Sequence, residues 1–152
     1  MRMKKWRPFL FSTFSAVILL IIGTFIFSPE RFFPDTSLTY AESIKTNWGL
    51  TIPDPDQETT IKNERFAHGD GETITELYYE KSTDLQSIKN LSNSWMTGKE
   101  FEEKKKDLPP WIDDLIKEVN SEASYFYFKK DHNDYLILEL RGNNVTVYES
   151  YI

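Results

Sequence analysis

One stretch constrains this chain before any other. Residues 9–27, "FLFSTFSAVILLIIGTFIF", run for 19 positions without a charge. That is close to the length an α-helix needs to cross the hydrocarbon core of a bilayer. The run is apolar on every side, so it lacks the polar face of a helix packed on a soluble core. Pro8 and Pro29 bracket it, Arg2, Lys4, Lys5 and Arg7 precede it, and the first acid, Glu30, follows it. The positive-inside rule leaves residues 1–8 as a cytoplasmic tail and sends the remainder across the membrane. A cleaved signal peptide is the competing reading, but its apolar core is normally only about 7 to 15 residues long. The sequence "SPERFF" that follows offers no small-x-small cleavage site, and "TYA" at residues 39–41 lies well beyond the run. A lipoprotein signal needs cysteine, and the chain has none. The expectation is an uncleaved single-pass signal anchor that contacts membrane lipid through residues 9–27. A link at residues 28–35 and an extracytoplasmic domain at residues 36–152 follow. Eight extended residues reach at most about 28 Å, so the domain is expected close to the bilayer.

Charge divides at the same place. Beyond the anchor stand 14 bases and all 24 acids, a net of −10. Such a domain suits neither nucleic acid, whose phosphates need Lys and Arg, nor anionic lipid head groups. It is compatible with a basic protein partner, although solubility alone also accounts for acidity. Without cysteine, disulfides, thiolate metal sites and cysteine nucleophiles are excluded. The aromatic content, 11 Phe, 8 Tyr and 4 Trp, favours an ordered, sheet-rich core.

The spacing predicts an α+β domain. A helix capped by Asp35 or Ser37 runs to about Asn47, with Tyr40, Ala41, Ile44 and Trp48 on one face and Gly49 as its left-handed stop. "TIPDPDQE" cannot be helical, because Pro53 and Pro55 stand two apart. "TTIKNERF" and "ETITELYYE" read as a hairpin around "AHGDG", with positive φ at Gly69 and Gly71. The first of these strands is weakly patterned. In the second, Leu77 and Tyr79 share one parity and Ile74 and Tyr78 the other. Thr83 and Gln86 have capping-box spacing, and Leu85, Ile88, Leu91 and Trp95 form a helical stripe closed by Gly98. "KEFEEKKKD" reads as a solvated loop or ragged helix. Pro110 suits the first turn of a third helix, faced by Trp111, Ile112, Leu115, Ile116 and Val119. "SYFYFKK", "YLILEL" and "VTVYESY" form a three-stranded meander joined by the turns "DHND" and "RGNN". The sum is about five antiparallel strands and three helices packed on one face of the sheet.

Chemistry has few candidates. His68 and Asp70, with His132 beside Asp131 and Asp134, would make a two-histidine, carboxylate metal site if the two turns met. The same residues are ordinary turn formers. Asp54, Asp56 and Glu58 fail the calcium-loop pattern, because Thr59 and Arg65 stand where glycine and glutamate belong. There is no nucleophile elbow, P-loop or dinucleotide fingerprint. "NLS" and "NVT" match the glycosylation pattern, which carries no meaning in a bacterial setting. No catalytic residue and no cofactor is assigned. Alternation sets Tyr125 and Tyr127 opposite Phe126 and Phe128. The phenylalanines are expected in the core. Tyr125, Tyr127, Tyr148 and Tyr151 are the candidates for an exposed protein-binding face, unless helices cover both sets.

The order of anchor, helix, "WGLTIP", strand, "FAHGDGETI", helix, "LPPWI" and tyrosine-rich meander resembles a loose group of small extracytoplasmic proteins of low-GC Gram-positive bacteria. Their similar segments run GL-x-(I/L)-P and F-H-G-D-G-E, and this chain departs by Ala67 between Phe66 and His68. The likeness covers most of residues 38–152. It implies a compartment and a fold and carries no activity. By analogy of architecture alone, some anchored proteins built in this way are immunity factors against secreted toxins.

The functional expectation is a membrane-anchored, extracytoplasmic, non-enzymatic domain that binds protein, with an immunity or inhibitor protein as its concrete form. Two alternatives stand beside it. One is a metal-dependent hydrolase using His68, Asp70 and His132. The other is a structural or regulatory accessory of a cell-envelope complex.

Overall fold

The computed structural model of the chain describes residues 38–65, 70–130 and 133–152. The expected anchor, residues 9–27, its link, and the two histidines lie outside the described residues. Among the described residues no helix is long and apolar enough to cross a membrane.

Residues Leu38–Ile152 form one compact unit. Its elements in chain order are α1 (Tyr40–Trp48), β1 (Gln57–Arg65), β2 (Gly71–Tyr78), α2 (Ser82–Lys89), β3 (Met96–Thr97), α3 (Gly98–Lys105), α4 (Trp111–Leu115), β4 (Ser124–Lys129), β5 (Tyr135–Arg141) and β6 (Asn144–Tyr151). All strands pair antiparallel, in the order β1-β2-β6-β5-β4-β3. The α+β class is therefore as the spacing implied. The expected hairpin and meander are one sheet, joined where β6 pairs with β2. A sixth, two-residue strand, β3, adds to the far edge.

Helices cover both faces of this sheet, not one. Alternation along β5 shows why. Leu136, Leu138 and Leu140 point into a core with Ala41, Ile44 and Trp48 of α1 and Ile88 of α2. Tyr135 and Ile137 point the other way, into a second core with Phe101 of α3 and Ile112 and Leu115 of α4. A strand buried on both sides reads as a near-continuous apolar run, and "YLILEL" is such a run. The face under α1 and α2 is called the first face below, and that under α3 and α4 the second.

Local chemistry explains the boundaries. Thr39 caps α1 in a capping box with Glu42, and Gly49 ends it at φ 70°. The cap thus lies beyond the expected Asp35 or Ser37. Helix α2 starts without a side-chain cap at Lys81 and stops at Lys89. Leu91 and Trp95 still pack on the first core from the loop that follows. Gly98, expected as a stop, opens α3 behind a second capping box, Thr97 with Glu100. Its missing Cβ lets the backbone pass Asn120, whose carbonyl oxygen would lie 2.2 Å from such an atom. Lys105 donates to the Ile116 carbonyl and pairs with Asp113 at 3.0 Å, tying α3 to the end of α4.

Candidate functional site

Two places on this frame gather polar chemistry. The first is buried. Glu149 of β6 is 5% exposed on the first face. Its Oε1 accepts from Trp48 Nε1 at 2.7 Å and from the Tyr151 hydroxyl at 2.6 Å. Its Oε2 accepts from the Tyr40 and Thr73 hydroxyls, both at 3.0 Å. Four neutral donors from α1, β2 and β6 thus replace the water a carboxylate would otherwise hold. Burial, and after it the Glu149 carboxylate, pushes the Tyr40 and Tyr151 phenols well above their ordinary range. Arg65 lies over the Tyr151 ring, 3.9 Å from its centroid. The cluster welds α1 to the sheet. Its carboxylate is buried and its two phenols, Tyr40 and Tyr151, are partly buried against the first core.

The second place is open. On the second face α3 and α4 pack over β4 and β5, with Ile74 of β2 partly buried against them and β1 left exposed except at Lys62. Between that bare end and the last residues of α4 with the chain after them lies a groove of about 670 Å³. Ile74, Glu76, Thr146 and Tyr148 line it from the sheet, and residues 114–118 line it from the opposite side. Ile61, Lys62 and Glu64 of β1 complete it. A register shift between Thr60 and Lys62 makes Ile61 a bulge residue, and its side chain stands 61% exposed at the groove. Lys62 is held by Glu72 at 2.7 Å and Glu64 at 3.0 Å. Glu76, Asp114, Glu118 and Lys117 make no ion pair among the described residues. Among the described residues the groove therefore keeps three unpaired carboxylates against one unpaired ammonium, beside Ile74 and Tyr148. No family model, curated protein or solved structure matches the chain.

The residues singled out from the sequence fall in different places. Asp70 is exposed at the start of β2, while His68, His132 and Asp131 lie outside the described residues. Among the described residues no three histidine or acidic side chains are grouped to hold a metal. The four tyrosines do not share a face. Tyr125, Tyr127 and Tyr148 belong to the second face and Tyr151 to the first. Tyr125 is fully buried, stacked on Phe101 at 4.4 Å between centroids. Its hydroxyl accepts from the Asn120 amide at 2.8 Å, and burial raises that phenol to about 12. Tyr127 stacks on Tyr135 at 5.8 Å and remains half-buried. Tyr148 donates to Glu139 at 2.9 Å and lines the groove. An extra helix layer, α3 and α4, is what takes Tyr125 out of the surface.

Proposed function

We propose that this chain is a non-enzymatic protein-binding domain, held outside the cytoplasmic membrane by a span at residues 9–27, with a basic protein as its partner. The observation that carries the reading is the groove at the bare end of the sheet. There the half-buried Ile74 and Tyr148 lie beside three carboxylates that make no ion pair among the described residues. The net charge of −10 beyond the anchor acts in the same direction, because an acidic surface speeds encounter with a basic one. In its concrete form the domain is an immunity or inhibitor protein that occludes a secreted toxin. Affinity purification of the tagged full chain from membranes tests this. A stable, salt-sensitive complex with one basic extracytoplasmic protein is the expected result. Recovery of the chain alone, from cells grown with and without the neighbouring genes, would overturn it.

A further inference from the structure

The groove combines two kinds of recognition within one side chain's reach. The half-buried Ile74 and Tyr148 offer apolar surface from the sheet, while Leu115 and Ile116 on the opposite wall are buried in the second core. Ile61 stands at the mouth, turned out by the bulge. Ile61 alone would be an ordinary surface residue; beside the half-buried Ile74 and Tyr148 it extends one apolar patch ringed by charge. Around it Glu76, Asp114 and Glu118 lack ion-pair partners among the described residues, Lys62 is already held by Glu64 and Glu72, and Lys117 alone opposes the three acids. A metal ion alone would leave the apolar surface unused. An acidic or phosphorylated segment would be repelled.

We propose that the groove receives a protein segment in which a lysine or arginine stands next to an apolar residue. The apolar side chain packs on Ile61 and Ile74. The cation sits among Glu76, Asp114 and Glu118, where a guanidinium can meet a carboxylate through paired N–H donors. This rests on the protein-binding reading above and adds the surface and the chemistry of the partner.

The test uses the full chain in neutral-lipid nanodiscs, with empty nanodiscs as blank. It is titrated with two synthetic peptides of equal charge, one alternating lysine and leucine, the other alternating lysine and serine. The leucine peptide is expected to bind at least tenfold more tightly. The pair Glu76→Lys and Glu118→Lys should weaken it at least tenfold. The pair Glu58→Lys and Glu80→Lys, which changes net charge equally away from the groove, should leave it within about twofold. Equal weakening by both pairs, or equal binding of both peptides, overturns the groove as the site. Photo-crosslinkers placed in cells at Ile61 and, as control, at Lys89 of α2 separate this inference from the reading beneath it. Crosslinks from Ile61 to a lysine- or arginine-bearing apolar segment support both. A partner caught only from Lys89 removes the groove and keeps the protein-binding reading. A chain that neither crosslinks at either site nor discriminates the peptides removes both.

Discussion

Glu149 sits where alternation along β6 demands an apolar residue, in line with Val145 and Val147. It is tolerated because Trp48, Tyr40, Thr73 and Tyr151 each aim a donor at it. Glu149→Leu would match the pattern yet take this acceptor from all four donors, leaving Trp48 only the Tyr151 hydroxyl, and buried donors without acceptors cost about 1 to 3 kcal/mol each. Urea unfolding should show a loss of about 3 kcal/mol or more for Glu149→Leu. Tyr40→Phe, which removes one donor and leaves the carboxylate three, should lose only about 1 kcal/mol. A ranking in the opposite order would mean that the cluster holds nothing together. None of this was legible in the sequence. Trp48 and Glu149 are joined only by the fold, and a lone glutamate in a strand reads as a solvent-facing residue. The weak pattern of β1, by contrast, was legible. Its residues are exposed except Lys62, as befits an edge strand with a bulge and alternating charge that discourage pairing with other chains.

At the level of elements, local signals succeeded where one signal acted alone and failed where two competed. Gly49 adopts the left-handed conformation expected of it. Gly71, at φ 129°, lies so close to the Glu64 carbonyl that an added Cβ would sit 2.1 Å from it. Gly71→Ala should therefore cost about 2 kcal/mol or more, read as an earlier urea midpoint. Gly98 carries the signal of a helix stop, yet the capping box formed by Thr97 and Glu100 on either side of it wins and opens a helix there. Thr97→Ala should lower stability by about 1 kcal/mol. Thr83→Ala, at the other capping-box spacing, should change little, because α2 takes no side-chain cap. The stripe from Leu85 to Trp95 marks residues that do pack on the first core, Ile88 buried and the others partly so, but it overstates the helix length. Residues beyond Lys89 reach the same core from a loop, and periodicity cannot distinguish the two.

For the molecule as a whole, the double-sided burial of β5 was present in its sequence as an unbroken apolar run. The expectation of a one-sided sheet overlooked it. The tyrosines that this layering encloses set an alkaline limit. Burial, helped by nearby carboxylates, raises the phenols of Tyr40, Tyr79, Tyr148 and Tyr151 above the ordinary range, and that of Tyr125 to about 12. The unfolded chain releases those protons near about pH 10, so the folded state holds more protons above that pH. Their stabilising contribution is complete below about pH 10 and falls as pH rises through the folded values. Tyrosinate absorbance should accordingly appear for these residues together with loss of tertiary structure, beyond about pH 11. A gradual titration centred near pH 10 in a chain that stays folded would contradict the burial described. Finally, β6 lies between β2 and β5, although three helices and three strands separate β2 from it in the chain. Neither half of the sheet has its central neighbour until that strand arrives. A nick or deletion in the turn at Gly142 should consequently not leave a stable hairpin and a stable remainder. It should release both cores at once, so the domain is expected to fold slowly and in a single step.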